Sequence, residues 1–242
     1  MQTKTRAIVL SSLKFGEHQL IVDMLTEQLG RQSFICHIPK TQKGKLKKQF
    51  FQPLSLLEME FDYRQRARLQ HIRDLRLARP FVSIPFDAAK LSISLFLAEF
   101  LTYATRDEQA NEALFSYVAN SIEWLDSQSA QFANFHLVFM MRLSRFIGFF
   151  PNLEDYREGA VFDMRSGTFS DQPPLHSDFV SVEESSRIGL LMRMNYETMH
   201  LFRMSRTDRN RCVELILTYY RLHVPSFPEL KSFAVLQELF SE

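Results

Sequence analysis

The chain has 242 residues, 45% of them hydrophobic, with 23 phenylalanines and only seven glycines, so it has the material for a sizeable core and is unlike a disordered or repeat sequence. Its net charge of +1 conceals a split: residues 1–80 carry 15 Lys and Arg against 7 Asp and Glu, and the remainder carries 14 against 21. Two distant cysteines, no apolar run near the ~18 residues of a membrane span and no leader-like apolar stretch after Met1 exclude disulfide-scaffold and membrane classes, and a cytoplasmic protein is expected. A basic module gains affinity for polyanions by releasing condensed counterions, which makes nucleic acid the first partner to weigh.

Short alternating runs between turn residues predict five strands: Thr5–Leu13, Gln19–Leu25, Arg31–Ile38, Ser55–Tyr63 and Leu69–Ala78, with Gly16 and Gly30 in the first two turns. Five strands with a long basic connection after the third suggest an OB-fold barrel, and an SH3-like barrel is the nearest alternative. Pro80 and Pro85 mark a change to helical periodicity, so the expected domains are 1–80, an OB-fold nucleic-acid-binding domain, and 81–242, a helical domain. Helices are predicted over Asp87–Tyr103, Asn111–Asp126, Phe132–Phe149, Val182–Met192, Thr207–His223 and Leu230–Phe240. The first is apolar nearly all round, as suits a helix at the centre of a bundle. Val161–Phe169 reads as a small hairpin turning at Ser166-Gly167. The expected class is α+β, a five-stranded OB-fold barrel followed by an α-helical domain with a β-hairpin insertion.

Lys40, Lys43, Lys45, Lys47 and Lys48 place five ammonium groups within nine residues, with Phe50 and Phe51 close behind. Flexible ammonium groups track a phosphate backbone without reading sequence, and exposed aromatic rings stack on any base, so this segment is a candidate for single-strand binding. The competing reading is a solvated loop followed by two core phenylalanines. Arg64, Arg66 and Arg68 share one parity and face one side if the segment is extended, while Arg73 and Arg76 fall on opposite parities of the next strand. Arg6 in the first strand widens the basic surface. Charged guards of a sheet edge are the alternative.

Catalytic patterns are missing. The seven histidines form neither His-x-x-x-His nor His-Glu-x-x-His, and neither a glycine-rich phosphate loop nor a Gly-x-Ser-x-Gly elbow occurs. Glu154, Asp155 and Glu158, and His176 with Asp178, define no specified site. No enzyme, metal or cofactor is expected. Arg203, Arg206, Arg209 and Arg211 gather beside Met192, Met194, Met199 and Met204. Methionines fill cores or form adaptable grooves, and a groove with a basic rim suits an acidic, apolar-tipped peptide.

The order of several motifs carries a resemblance. Lys4-Thr5-Arg6-Ala7-Ile8-Val9-Leu10, Gly16-Glu17, Ile21-Val22, Thr26 and Gly30 are followed by Gly148-Phe149-Phe150-Pro151, by Tyr219-Tyr220-Arg221-Leu222-His223, and by Leu230-Lys231-Ser232 and Val235-Leu236. From end to end the chain resembles RecO, the bacterial recombination-mediator and DNA-repair family, in its Bacteroidetes-type form. The resemblance implies an N-terminal OB-fold that binds single- and double-stranded DNA, annealing of complementary strands, and action with RecR in loading RecA onto strands coated by single-strand-binding protein. It implies a place in the cytoplasm, at the nucleoid. It also implies capture of the acidic, phenylalanine-ended tail of single-strand-binding protein, for which Arg203, Arg206 and Met204 are the candidate contacts. Many members carry a four-cysteine zinc site after the Gly-x-x-Pro segment, whereas Pro151–Ala160 here holds no cysteine, so no zinc is expected and packing should hold the hairpin. Other readings stay open: a protein-interaction scaffold, an OB-fold RNA-binding protein, and an enzyme with an unrecognised carboxylate site.

Overall fold

The computed structural model describes residues 2–37 and 48–238. Contacts divide the chain into two compact units, Met1–Ser127 with Leu230–Leu236, and Gln128–Glu229 with Gln237–Glu242. The α+β class holds, with a closed five-stranded barrel first and a helical region with a small sheet after it.

In the first unit, β1 (Gln2–Phe15), β2 (Gln19–Thr26), β3 (Gly30–His37), β4 (Leu56–Asp62) and β5 (Gln70–Leu77) close in the order β1-β2-β3-β5-β4. Every pair is antiparallel except β3 with β5. This is the OB-fold arrangement expected from the spacing of the strands. Alternation places Ala7, Val9, Val22, Phe34, Leu57 and Phe61 in the barrel core. The register of β1 against β2 shifts at Leu10: Val9 faces Met24, Ser11 faces Asp23, and Leu10 is the extra residue of a β-bulge. The bulge resets the parity of β1. Ser12 and Lys14 then share the side of the core residues Val22 and Leu20, and Leu13 and Phe15 share the outer side with Ile21 and Gln19.

Asp87 caps α1 (Ala88–Ala104), its carboxylate accepting from Ala89 N at 2.9 Å and Lys90 N at 3.1 Å. The helix packs against β1 instead of lying at the centre of a bundle, so Ile93, Phe96 and Phe100 are buried while Leu91 and Leu95 stay exposed. Gly30, with φ +63°, opens β3 where a Cβ would come within 2.7 Å of the Gln109 carbonyl carbon; conformation and space both require glycine. After β5, the connection is tied to the end of α2 (Glu112–Ser127). The Asp126 carboxylate, in a residue only 6% exposed, accepts from the backbone N–H of Val82 (2.8 Å), Ser83 (2.9 Å) and Ile84 (2.9 Å). Buried Lys90 donates to Ser83 Oγ at 2.6 Å.

The second unit contains α3 (Phe135–Leu143), a sheet of β6 (Val161–Asp163), β7 (Thr168–Ser170) and β8 (Phe179–Val180) in the order β7-β6-β8, then α4 (Val182–Arg193) and α5 (Arg206–His223). α3 stops well before Phe149 because the chain tightens, with Phe146 N bonded to Leu143 O at 2.9 Å and Gly148 at φ +90°. The predicted hairpin is β6 with β7, and the two-residue β8 adds an edge that too short a run left invisible in the sequence. Aromatic packing holds it: Phe162 and Tyr156 rings each lie 4.9 Å from Phe169, and Tyr219 lies 5.7 Å from Phe162 and donates its hydroxyl to Phe149 O at 2.8 Å. Gly167, at φ +68°, gives the Tyr219 hydroxyl room, since a Cβ there would sit 2.6 Å from it. The last helix, α6 (Phe233–Gln237), belongs through Leu236 to the first unit, where Phe233 lies 6.2 Å from Phe96.

Two stability outcomes follow from these contacts. Asp126→Ala strands three backbone donors, and urea unfolding at pH 7 should show a loss of about 3 kcal/mol. Burial alone would raise the Asp126 pKa, but the N–H groups of Ile84, Val82 and Ser83 outweigh it and hold the carboxyl below its usual range. A depressed folded-state pKa stabilises above the unfolded value of about 3.9 and is lost as pH falls through the folded one, so the gap between parent and Asp126→Ala should shrink below about pH 4. Gly167→Ala should lower Tm by several degrees, about 1–3 kcal/mol, through the strain of a Cβ at positive φ and overpacking against Tyr219; an unchanged Tm would contradict both.

Candidate nucleic-acid interface

Basic residues of the barrel divide by what they touch. On the side formed by β1, β4 and β5, each arginine has an acidic neighbour. Arg6 Nε donates to Glu27 Oε2 at 3.0 Å and its guanidinium lies 5.2 Å from the Phe115 ring centre; Arg73 Nε reaches Asp62 at 2.6 Å; and Arg76 bonds Glu58. The hydrogen bond with Arg6 holds the Glu27 carboxyl below the usual range. Lys4 sits 3.6 Å from Glu60. A depression on this side is lined by Glu27, Glu58, Glu60 and Asp74 as well as by the cations, so its charges are largely internally compensated and it offers a polyanion little.

The β4–β5 loop, residues 63–69, is different. Arg64, Arg66 and Arg68 are exposed there and form no ion pair with any described carboxylate. The segment turns at Gln65-Arg66, so the extended condition under which the three would face one side is not met: they project from a turn. Buried Gln70 braces that turn, accepting from Arg64 N at 3.0 Å and donating to Arg64 O at 2.9 Å and Ala67 O at 3.1 Å. The backbone is fixed while the guanidinium groups face solvent.

Of the lysine cluster, Lys40, Lys43, Lys45 and Lys47 lie outside the described residues, and Lys48 opens the 3-10 turn Lys48–Phe51. Phe51 is 2% exposed inside the barrel core and Phe50 packs against that core, so the reading of two core phenylalanines fits, and the alternative stacking role is contradicted for Phe51 and unsupported for Phe50. Their apolar surface fills the barrel instead of facing a base.

A different apolar surface is open. The cross-strand row Leu13, Ile21, Ile35 and His71 runs over the outer face of four strands, with Phe15, Gln19 and His37 beside it. Leu13 is 67% exposed and Phe15 51%. Further along the same face Arg31 bonds Asp23 at 3.1 Å and the Thr102 carbonyl, so the end of α1 engages that part and leaves the row near the β1–β2 turn uncovered. Sequence reading missed this surface because plain alternation through β1, without the bulge, gives no reason to single out Leu13 and Phe15.

In the second unit, an open pocket is lined by Tyr156, Leu190, Phe202 and Met204 with Arg187, Arg193 and Arg203, and also by Glu183 and by Asp208, which Arg187 engages at 2.9 Å. Arg203 forms no ion pair with a described carboxylate. Its neighbours in the predicted basic group serve the fold. Arg206 is 3.5 Å from Glu238, Arg211 bonds Glu184 and Glu214, and buried Arg209 donates to Asn134 Oδ1 at 3.1 Å and Met204 O at 3.0 Å. Met194 and Met199 are fully buried, so only Met204 of these three methionines lines the pocket. Beside Arg209, burial pushes the His136 pKa down to about 3, and the ring is neutral. Among the described residues no group of three or more His, Cys, Asp or Glu is placed to hold a metal ion, and no helix is long and apolar enough to cross a membrane.

Comparison with known proteins agrees with this architecture. The family model described as Recombination protein O N terminal matches residues 1–81, and Recombination protein O C terminal matches residues 85–232. DNA repair protein RecO of Phocaeicola vulgatus is 52% identical over 241 residues, with 100% of both chains covered. Its counterpart in Bacteroides fragilis is 52% identical over 99% of this chain and 100% of the relative, and that of Flavobacterium psychrophilum is 32% identical over 100% of each. Two family matches in tandem and likeness along the whole length show that the chain belongs to the RecO family.

Proposed function

We propose that this protein acts in DNA repair and homologous recombination as a non-catalytic mediator that binds single- and double-stranded DNA and anneals complementary strands. With RecR it helps load RecA onto strands coated by single-strand-binding protein, working in the cytoplasm at the nucleoid. The observation that carries the DNA-binding part is the set of three solvent-facing arginines, Arg64, Arg66 and Arg68, held on a braced loop of an OB barrel whose other arginines are internally paired. Such a loop flanks the ligand face of OB-folds, and guanidinium groups with no acidic partner among the described residues keep their charge for phosphate. Lys40, Lys43, Lys45, Lys47 and Lys48 add charge to the same domain, 1–80, and Arg6 contributes less because Glu27 already engages it. Mediation and annealing require binding and release, which is consistent with a chain lacking a nucleotide-binding motif.

For the partner tail, the pocket around Arg203 and Met204 has the chemistry for an acidic peptide ending in an aromatic residue, while Arg206 is drawn toward Glu238.

Fluorescence anisotropy of a labelled single strand across a salt series tests the DNA reading. Arg64→Ala, Arg66→Ala and Arg68→Ala combined should weaken binding and flatten the log–log slope by about two units, at roughly 0.7 per phosphate contact. Annealing of complementary oligonucleotides should slow in parallel. No binding by the parent at low salt would favour the scaffold reading. A fluorescent acidic peptide ending in phenylalanine should bind the parent and lose about tenfold with Arg203→Glu, as expected for removal of a charge-assisted contact; equal binding would place the tail elsewhere.

A further inference from the structure

We propose that Leu13 and Phe15, on the outer face of the barrel beside the β1–β2 turn, form a platform for unstacked bases that favours single strands over duplex. The proposal rests on the reading that the barrel binds DNA and adds a selecting surface to it. The bulge at Leu10 turns both side chains outward, where they share a face with Ile21 and Ile35 across β2 and β3. A half-exposed phenylalanine and a two-thirds-exposed leucine on neighbouring rows are costly to leave in water. A solvent-facing sheet normally presents polar side chains at such positions.

Charge and polar groups around the strip identify the occupant. His71 continues the row from Ile35 and is the second residue of the strand that the arginine loop leads into, so the loop, whose guanidinium groups have no described acidic partner, meets the strip at its β5 end. His37 closes the row of Phe15, its Nδ1 3.5 Å from Gln19 Nε2. Of the carboxylates beside the strip, Asp23 is engaged by Arg31 at 3.1 Å and by Ser33 at 2.5 Å, and exposed Glu17 in the β1–β2 turn lies 3.6 Å from His18. An apolar and imidazole-bearing strip that runs from Leu13 to His71 and has the arginine loop at its β5 end suits a chain with flat apolar rings on an anionic backbone. Stacking of bases on aromatic faces tolerates any sequence, and bases held inside a duplex are not available to it.

The experiment compares Phe15→Ala, Phe15→Leu and Phe15→Trp with the parent, using anisotropy of an oligothymidylate and of a hairpin duplex of matched charge. Phe15→Ala should weaken oligothymidylate binding about tenfold, within the range for loss of one stacked base. Its salt slope should match the parent's, and hairpin affinity should stay within about twofold, because no phosphate contact is lost. Phe15→Leu should fall between, and Phe15→Trp should keep affinity and show fluorescence quenching on oligothymidylate. Thermal melting confirms folding, which an exposed side chain should not disturb. The platform is overturned if the parent binds both DNAs and Phe15→Ala binds oligothymidylate equally well, or if it loses both DNAs alike. It is also overturned if Phe15→Ala changes the oligomeric state instead, which would make the strip an interface between copies. A parent that binds neither DNA removes the underlying DNA reading itself.

Discussion

One extra residue in β1 decides how the barrel meets its surroundings. Until Leu10 the strand alternates with Ala7 and Val9 facing the core, and Ile8, though on the opposite parity, is also buried. Had the alternation continued unbroken, Leu13 and Phe15 would have pointed toward the core side and Ser12 and Lys14 outward. The bulge exchanges these pairs. It leaves small Ser12 and long Lys14 at the rim and moves two large apolar groups to a face that α1 engages only at its other end, through Arg31 and Thr102. The presence of an open apolar strip is thus a consequence of that local irregularity.

Charge pairing supplies the second division. Positive charge in the first eighty residues is real but unevenly available. Arg6, Arg73 and Arg76 neutralise Glu27, Asp62 and Glu58 across neighbouring strands, where such exposed pairs contribute little stability individually but lower the local potential. Arg64, Arg66 and Arg68 escape because the turn that carries them has no acidic residue between Asp62 and Asp74. A basic count becomes a basic face only after register has assigned partners.

These divisions explain what was legible in the sequence. Alternating runs and turn glycines located all five strands, and the proline pair placed the onset of α1 within a residue of its observed start, because hydrophobic periodicity reports burial directly. The bulge, the ion pairs and the insertion of Phe51 were not legible. Each depends on which residues of distant strands lie opposite one another, information that no local pattern carries. Helix α1 was misplaced in its environment for the same reason: an all-apolar helix needs a partner, but periodicity does not say whether that partner is a helix or a barrel. In the second unit Gly167, Tyr219 and the Phe162–Phe169 pair show how aromatic packing organises a segment without cysteines.

The most direct measurement is arginine footprinting by phenylglyoxal and mass spectrometry, with and without a bound single strand. Protection of Arg64, Arg66 and Arg68, with Arg73 and Arg76 unchanged, is the predicted result, since the first three face solvent without a described acidic partner and the others are held by Asp62 and Glu58. Protection centred on Arg73 and Arg76, or none on the β4–β5 loop while DNA is bound, would contradict the assignment of the binding face.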